Sequence, residues 1–252
     1  MRPARLAVVL VAHGSRDPRA AQATEALARA VGARHPAWDV RASYLDHSVP
    51  RPRQVLATFD AAGHHRAIMV PLLLTAAYHG RVDVPAEITA ARADGVRMDV
   101  ALSDVLGPVD GVVPPLLLDG LLIRLGSSSS FLDAFVLAAA GTRNAEARGT
   151  VEQAAAALSA RLGRPCRVAY ASAAPPLSGD VVRDLRAAGH ERVGLLSYFL
   201  APGLLWDATV ASAREAGVHT IAEPLTDTPA LVSLVAQRVL TAAAQRLPVY
   251  AA

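Results

Sequence analysis

Lysine is missing altogether: the 25 basic residues of this 252-residue chain are all arginine. A GC-rich coding sequence produces that bias by itself, while arginines beside a cleft grip carboxylates or phosphates through paired donors, so position has to separate the two readings. Cysteine occurs once, as Cys166, which excludes an internal disulfide, a CxxC redox motif and an all-cysteine metal cage and fits a reducing compartment. Aromatic residues make up 4% of the chain, too few for the stacking platforms that hold single-stranded nucleic acid. The net charge of +3 is too small to imply a polyanionic partner. No apolar run approaches the roughly 18 residues that span a bilayer, so a cytoplasmic protein without a membrane partner is expected. Arg2 and Arg5 before Leu6–Ala12 have the outline of a signal peptide, yet that run is only seven residues long and leads straight into His13-Gly14-Ser15-Arg16. It reads as a buried parallel strand.

With 52% hydrophobic and 19% charged residues, the chain has enough apolar material to build cores. A short apolar run, a glycine-containing turn and an amphipathic stretch recur along it, which is the pattern of successive β-α units. Strands are expected at 6–12, 39–45, 66–74 and 97–102, and helices at 18–33, 51–62, 84–94 and 108–124. Strands so uniformly apolar are covered on both faces, as in a parallel α/β sheet.

Gly126-Ser127-Ser128-Ser129-Ser130 has nothing to bury and reads as a linker. The sequence then repeats itself. Phe135–Arg143 overlays Val8–Arg16, Ala187–Arg192 overlays Ala61–Arg66, and Asp207 overlays Asp83, in the same order at offsets of 124 to 127 residues. Two tandem flavodoxin-like α/β domains are therefore expected, 1–125 and 131–252 joined by 126–130, each with a mainly parallel central sheet and helices on both faces. The expected assembly is a monomer with an internal pseudo-dimer.

Ligands of open parallel sheets bind beyond the carboxyl ends of the strands. His13 follows the first strand, Asp46 the second, and His79 lies after the third, at spacings of 33 and 33 residues, about one β-α unit each. Two imidazoles and a carboxylate on one sheet edge suit a divalent transition metal, and equally a general base. For any one of these histidines the plain alternative is a surface or satisfied core residue. The repeat supplies an internal comparison, because Ala140, Ser172 and Gly203 stand where His13, Asp46 and His79 would be, while Gly141 and Arg143 keep the places of Gly14 and Arg16. One active half, with the other contributing walls and arginines to a cleft between them, is the simplest account. Gly14-Ser15-Arg16 is able to hold an anion through backbone N–H groups, but no GxGxxG or P-loop pattern accompanies it, so no nucleotide is expected. Ser15 is not in a GxSxG elbow, which removes the hydrolase reading. His64, His65 and His190 fit structural or surface roles, and His47, next to Asp46, is a candidate fourth ligand whose side chain should point away if the strand continues.

At these residues the sequence resembles the sirohydrochlorin chelatases, the class II enzymes that insert Co2+ or Fe2+ into a tetrapyrrole of the siroheme and cobalamin routes. The resemblance rests on Val11-Ala12-His13-Gly14-Ser15-Arg16-Asp17-Pro18, on Tyr44-Leu45-Asp46 followed by Pro50, on Pro71–Leu74 with His79 and Asp83-Val84-Pro85, and on Leu106-Gly107-Pro108. It covers nearly the whole chain in order, and the degenerate second half is similar to the long two-domain form. It implies that His13 and His79 bind the metal substrate and accept pyrrole protons, with Asp46 assisting where the family more often has glutamate. The divalent metal, Co2+ or Fe2+ with Ni2+ sharing the same ligands, is a substrate under this reading. Sirohydrochlorin is rimmed with carboxylates, which gives a task to Arg16, Arg143, Arg51, Arg53 and Arg81, with Gly14 and Ser15 at the turn. Two alternatives are a non-catalytic tetrapyrrole or metal carrier, and a histidine-phosphatase-like phosphoryl transferase, which Ala12 disfavours by standing where those enzymes have arginine.

Overall fold

The computed structural model describes residues 5–75 and 83–245, and the chain packs there into two compact units. One comprises the described residues of Met1–Leu73, Tyr78–Leu106 and Val232–Ala252, the other those of Leu74–Ala77 and Gly107–Leu231.

The first unit contains β1 (Leu6–Ala12), α1 (Pro18–Arg34), β2 (Trp38–Tyr44), α2 (Pro52–Ala61), β3 (Arg66–Pro71), α3 (Val84–Ala93) and β4 (Asp99–Leu102). Its four strands are all parallel, in the order β2-β1-β3-β4. The central strand is buried along nearly its whole length because helices cover both faces, and period-2 alternation sorts its side chains. Ala7, Val9 and Val11 join Val55, Leu56 and Phe59 of α2 and Met69 of β3 in one apolar cluster. Helix α1 starts where Asp17 accepts from the Arg19 N–H at 2.9 Å and Pro18 supplies a first residue that needs no donor. It buries Ala23, Leu27, Ala28 and Val31, a stripe at helical spacing.

The second unit repeats this arrangement with β5 (Ala134–Ala139), α5 (Ala145–Leu162), β6 (Cys166–Tyr170), α6 (Ser178–Ala187), β7 (Val193–Tyr198), α7 (Leu204–Glu215) and β8 (Thr220–Ile221) in the parallel order β6-β5-β7-β8. The parity is conserved: Ala134, Val136 and Ala138 meet Val181, Val182 and Leu185 of α6 as their counterparts meet α2. The recurring Ala-Ala-Gly-His segment is the end of a helix, with His64 N–H bonded to Phe59 O at 3.0 Å and His190 N–H to Leu185 O at 3.1 Å. Glycine is required there by φ of 82° at Gly63 and 94° at Gly189. His64 is further tied down by a ring-nitrogen bond to Arg5 O at 2.9 Å, a structural role.

One expectation needs revision. The helix expected from 108 is α4 (Pro115–Leu125), because Val109 and Val112 first form an antiparallel bridge around Asp110 (φ 50°) and Gly111 (φ 77°), and Pro114 and Pro115 begin the helix. The segment 126–130 is a single 3-10 turn, in which Ser130 Oγ bonds Ser127 O at 3.0 Å and Arg164 donates to Ser129 O. Neither compact unit begins or ends at that turn. Helix α4 belongs to the second unit, where Gly120 lies against Leu225, Asp119 pairs with Arg161, and Arg124 donates to Leu225 O at 3.2 Å. Of α8 (Pro229–Ala244), the part from Val232 onward belongs to the first unit, where Arg66 donates to Ala243 O at 2.8 Å.

A Cβ built on Gly120 would stand 2.9 Å from Leu225 Cδ2. Gly120→Val should therefore destabilise the protein by about 1–3 kcal/mol through overpacking. Leu225→Ala in the same chain should return part of that loss, a non-additivity readable in urea unfolding. Fully additive effects would place α4 elsewhere.

Candidate functional site

Two described loops of the first unit leave the carboxyl edge of its sheet, where open α/β sheets take ligands. The first carries His13 directly after Ala12, the second carries Asp46 two residues after Tyr44, and both side chains are exposed. The loops are stitched by Leu45 N–H to Ala12 O at 3.0 Å and Asp46 N–H to His13 O at 2.8 Å. Gly14 (φ 94°) makes the crossing feasible, since a Cβ there would sit 1.7 Å from Asp46 O. His79 and Arg81, expected on the third loop, lie outside the described residues.

The Asp46 carboxylate is held by its neighbours. Oδ1 accepts the His47 backbone N–H at 2.8 Å and lies 3.7 Å from Arg51 Nη2, while Oδ2 lies 3.4 Å from His47 Nε2. The His47 N–H bond is the largest cause that keeps Asp46 below the ordinary carboxylate range; desolvation opposes it, and attraction to the side chains of His47, Arg51 and His13 adds to the lowering. That His13 contributes to this field brings the two residues into one electrostatic neighbourhood. Asp46, His47, Ser48, Val49 and Arg51 line a shallow depression of about 330 Å³. Among the described residues, no group of three His, Cys, Asp or Glu side chains stands at metal-binding spacing.

The other sequence candidates are distributed as follows. Arg16 is exposed on the first loop, and among the described residues its guanidinium has no hydrogen-bond or ion-pair partner. Arg143 is exposed at the matching turn of the second unit, with only its carbonyl engaged, by Arg148 Nη1 at 2.9 Å. Ser15 has a structural task, because its Oγ accepts the Asp17 N–H at 3.0 Å, just as Thr142 Oγ1 accepts that of Asn144 at 3.2 Å. Gly14 serves the loop crossing. Arg53 faces α3: its backbone N–H meets Glu87 at 3.2 Å and its guanidinium lies 3.9 Å from Asp94 at the other end of that helix. Arg51, read from the sequence as a free clamp, is turned to Asp46. His47 also departs from expectation: β2 ends at Tyr44, and φ of 59° at His47 turns the chain so that its ring returns to Asp46. The adjacent Asp-His pair ahead of Pro50 was the visible signal, but only the turn gives it that meaning.

The second unit builds the same loop without these groups. Ala171 N–H bonds Ala139 O at 2.9 Å, Ser172 N–H bonds Ala140 O at 3.1 Å, and Ala173 takes φ of 64°. A Cβ on Gly141 would fall 1.9 Å from Ser172 O. Ala140 and Ser172 thus occupy the structural places of His13 and Asp46, as the repeat implied.

The fold and site define a doubled parallel α/β protein with imidazole and carboxylate groups at the strand ends of the first copy. The CbiX family model matches residues 7–121 and again 134–242, so the chain belongs to the CbiX family. SirB from Bacillus subtilis with Fe3+ superposes with a TM-score of 0.80 over 96% of both chains at 19% identity. A CbiX structure described as the terminal enzyme of siroheme biosynthesis in denitrifying bacteria gives a TM-score of 0.66 over 94% of this chain and 99% of that one, at 20% identity. These two likenesses show a shared fold. The sirohydrochlorin cobaltochelatase of Methanococcoides burtonii is 27% identical over 81 residues, 32% of this chain, and the match spans 62% of that relative's length. The chelatase resemblance, α/β class and parallel sheets expected from the sequence are borne out. No described helix is long and apolar enough to cross a membrane.

Gly14→Ala should cost about 1–2 kcal/mol for the positive φ alone, with the 1.7 Å approach adding to it, and Gly141→Ala should destabilise similarly in thermal unfolding. The depressed Asp46 pKa gives a second expectation with a definite sign. A carboxyl lower in the folded than in the unfolded state contributes stability in full above its unfolded pKa and loses it as pH falls through the folded value. Asp46 is then ionised throughout pH 5–8, and a carboxyl 13C NMR titration should put its midpoint below the ordinary value of 3.8. A midpoint at or above that value would contradict the hydrogen-bonded geometry.

Proposed function

We propose that the protein is a sirohydrochlorin chelatase that inserts Co2+ or Fe2+ into the macrocycle. The observation that carries this reading is the placement of His13 beside Asp46 on two hydrogen-bonded loops whose backbone twins in the second unit have Ala140 and Ser172. The same scaffold stands without the reactive groups, so their presence in the first unit answers to chemistry rather than to folding. Family membership and the cobaltochelatase relative support the substrate class.

Insertion requires the metal to shed water and two pyrrole N–H protons to leave. Imidazole suits both steps, since its unperturbed pKa of about 6.5 leaves it largely neutral at pH 7, ready to donate a lone pair to a metal or take a proton. His13 is assigned those roles together with His79, which the family resemblance supplies. Ionised Asp46 stabilises the imidazolium formed when His13 takes a pyrrole proton, which then passes to solvent. Imidazole and carboxylate accept Co2+, Fe2+ and Ni2+ alike, so the protein sets the ligand chemistry and supply sets the metal. Arg16 and Arg143, exposed with no acidic partner among the described residues, are assigned to the substrate's carboxylates.

His13→Ala should leave the fold intact, as Ala140 does in the second unit, and lower the metallation rate by two orders of magnitude or more. The check is absorbance-monitored Co2+ insertion against the spontaneous reaction. Wild-type protein that binds sirohydrochlorin without exceeding the spontaneous rate would be a carrier. Arg143→Ala should raise KM several-fold with kcat nearly unchanged, because a contact made equally in ground and transition states is uniform binding. An unchanged KM would return Arg143 to the scaffold.

A further inference from the structure

The loop from Tyr44 to Arg51 is matched almost bond for bond by Tyr170 to Leu177. Tyr44 N–H to Pro50 O measures 3.0 Å and Tyr170 N–H to Pro176 O 2.9 Å; Ser48 N–H to Asp46 O measures 2.7 Å and Ala174 N–H to Ser172 O 2.8 Å. The helices that follow begin alike, with Val55 N–H on Arg51 O and Val181 N–H on Leu177 O, each at 3.2 Å. The backbone N–H of Arg51 and that of Leu177 are both capped by a side chain three residues on, Gln54 in one case and Asp180 in the other. Backbone shape is therefore the same although only the tyrosine and the proline before the helix are shared, and every ionisable side chain between them is confined to the first unit. Asp46, His47 and Arg51 in the first unit stand where Ser172, Ala173 and Leu177 stand in the second.

This comparison removes a structural reason for all three. The loop does not need His47 to adopt φ of 59°, since Ala173 adopts 64°, and a left-handed residue other than glycine carries a conformational cost that neither side chain lessens. It does not need Arg51 to start the helix, since Leu177 starts one. In the second unit Ser172 Oγ turns inward to Ala140 O at 3.1 Å, the local bond a short hydroxyl makes when no outward task exists. In the first unit the carboxylate turns outward and is contacted on both oxygens.

We infer that His47 and Arg51 are positioning residues for Asp46: together they hold both oxygens of its carboxylate in one orientation beside His13. The inference rests on the chelatase reading for its consequence, though the positioning itself is a property of the loop. Each pair alone is weak, because the Asp46 side chain is 53% exposed and exposed ion pairs at 3.4 and 3.7 Å contribute little singly. Their effect is joint. Oδ1 is fixed by the His47 N–H and steadied by Arg51, Oδ2 is met by the His47 ring, and rotation about the Asp46 side-chain bonds loses contact at both ends. So oriented, Asp46 acts by its field toward the imidazole, and Arg51 is withdrawn from the set of substrate clamps.

The second unit supplies fold-compatible substitutions for the test, Asp46→Ser, His47→Ala and Arg51→Leu. Metallation of sirohydrochlorin by Co2+ is measured for each variant, for Arg51→Leu in the Asp46→Ser background, and for Arg51→Lys. The expected result is a roughly 5- to 10-fold fall in kcat for His47→Ala and for Arg51→Leu with KM within twofold, partial rescue by Arg51→Lys, and no further loss from Arg51→Leu once Asp46 is serine. A KM increase at unchanged kcat would make Arg51 a substrate clamp, and an equal fall in both backgrounds would show that it does not act through Asp46. Either result overturns the inference. A substrate-free readout keeps it apart from the chelatase reading. NMR three-bond couplings about the Asp46 Cα–Cβ bond should report a single rotamer in the wild type and averaging in the His47→Ala, Arg51→Leu double variant, and equal averaging in both would overturn the positioning even if the enzyme is active. An ordered wild-type rotamer in a protein that fails to accelerate metallation would sink the chelatase reading alone.

Discussion

A glycine with no side chain facing a carbonyl oxygen decides how the strand-end loops of this protein are arranged. At Gly14 the chain turns with positive φ and passes so close to Asp46 O that a β-carbon would overlap it. That approach lets the loop after β1 exchange backbone hydrogen bonds with the loop after β2, which brings the main chain of His13 to that of Asp46. Gly141 does the same against Ser172 O. Because the arrangement is made by backbone alone, its side chains are free to differ, and they do. With imidazole, carboxylate and guanidinium present in one copy only, the second copy shows that the loop folds without them.

Much of this was legible in the sequence. Apolar runs bounded by glycine turns placed the first-half strands within a few residues, because fully covered parallel strands leave an uninterrupted apolar signature. The offset repeats identified the second copy and named Ala140 and Ser172 as the structural counterparts of His13 and Asp46. Less legible were features set by tertiary packing. The stretch from 108 to 114 carries apolar residues at helical spacing, but Pro114, Pro115 and a left-handed pair at Asp110 and Gly111 divert it into a bridge. A run of four serines looks like a tether, yet it closes into a 3-10 turn, and Arg164, distant in sequence, caps it. Local composition also gave no sign that α4 packs with residues beyond 131, which depends on a notch at Gly120 matched by Leu225.

The arginines show the same limit. As residue types they were equal candidates for holding carboxylates, and geometry sorted them. Arg53 is committed to α3 and Arg51 to Asp46, while Arg16 and Arg143 remain exposed at equivalent turns with no acidic partner among the described residues. An arginine beside an acid in its own unit is a local electrostatic element. One left facing solvent at a strand-end turn keeps its paired donors available, which is why the proposed chelatase reading assigns Arg16 and Arg143 to substrate carboxylates.

The central claim is that two copies of one scaffold carry metal chemistry in the first copy alone. Titration of Co2+ against the substrate-free protein, followed by visible absorption of the bound ion and by calorimetry, tests this most directly. The account predicts one high-affinity Co2+ per chain, lost in His13→Ala and unaffected by Ser172→Ala. Two equivalent sites per chain, or a site that survives the loss of His13, would contradict it.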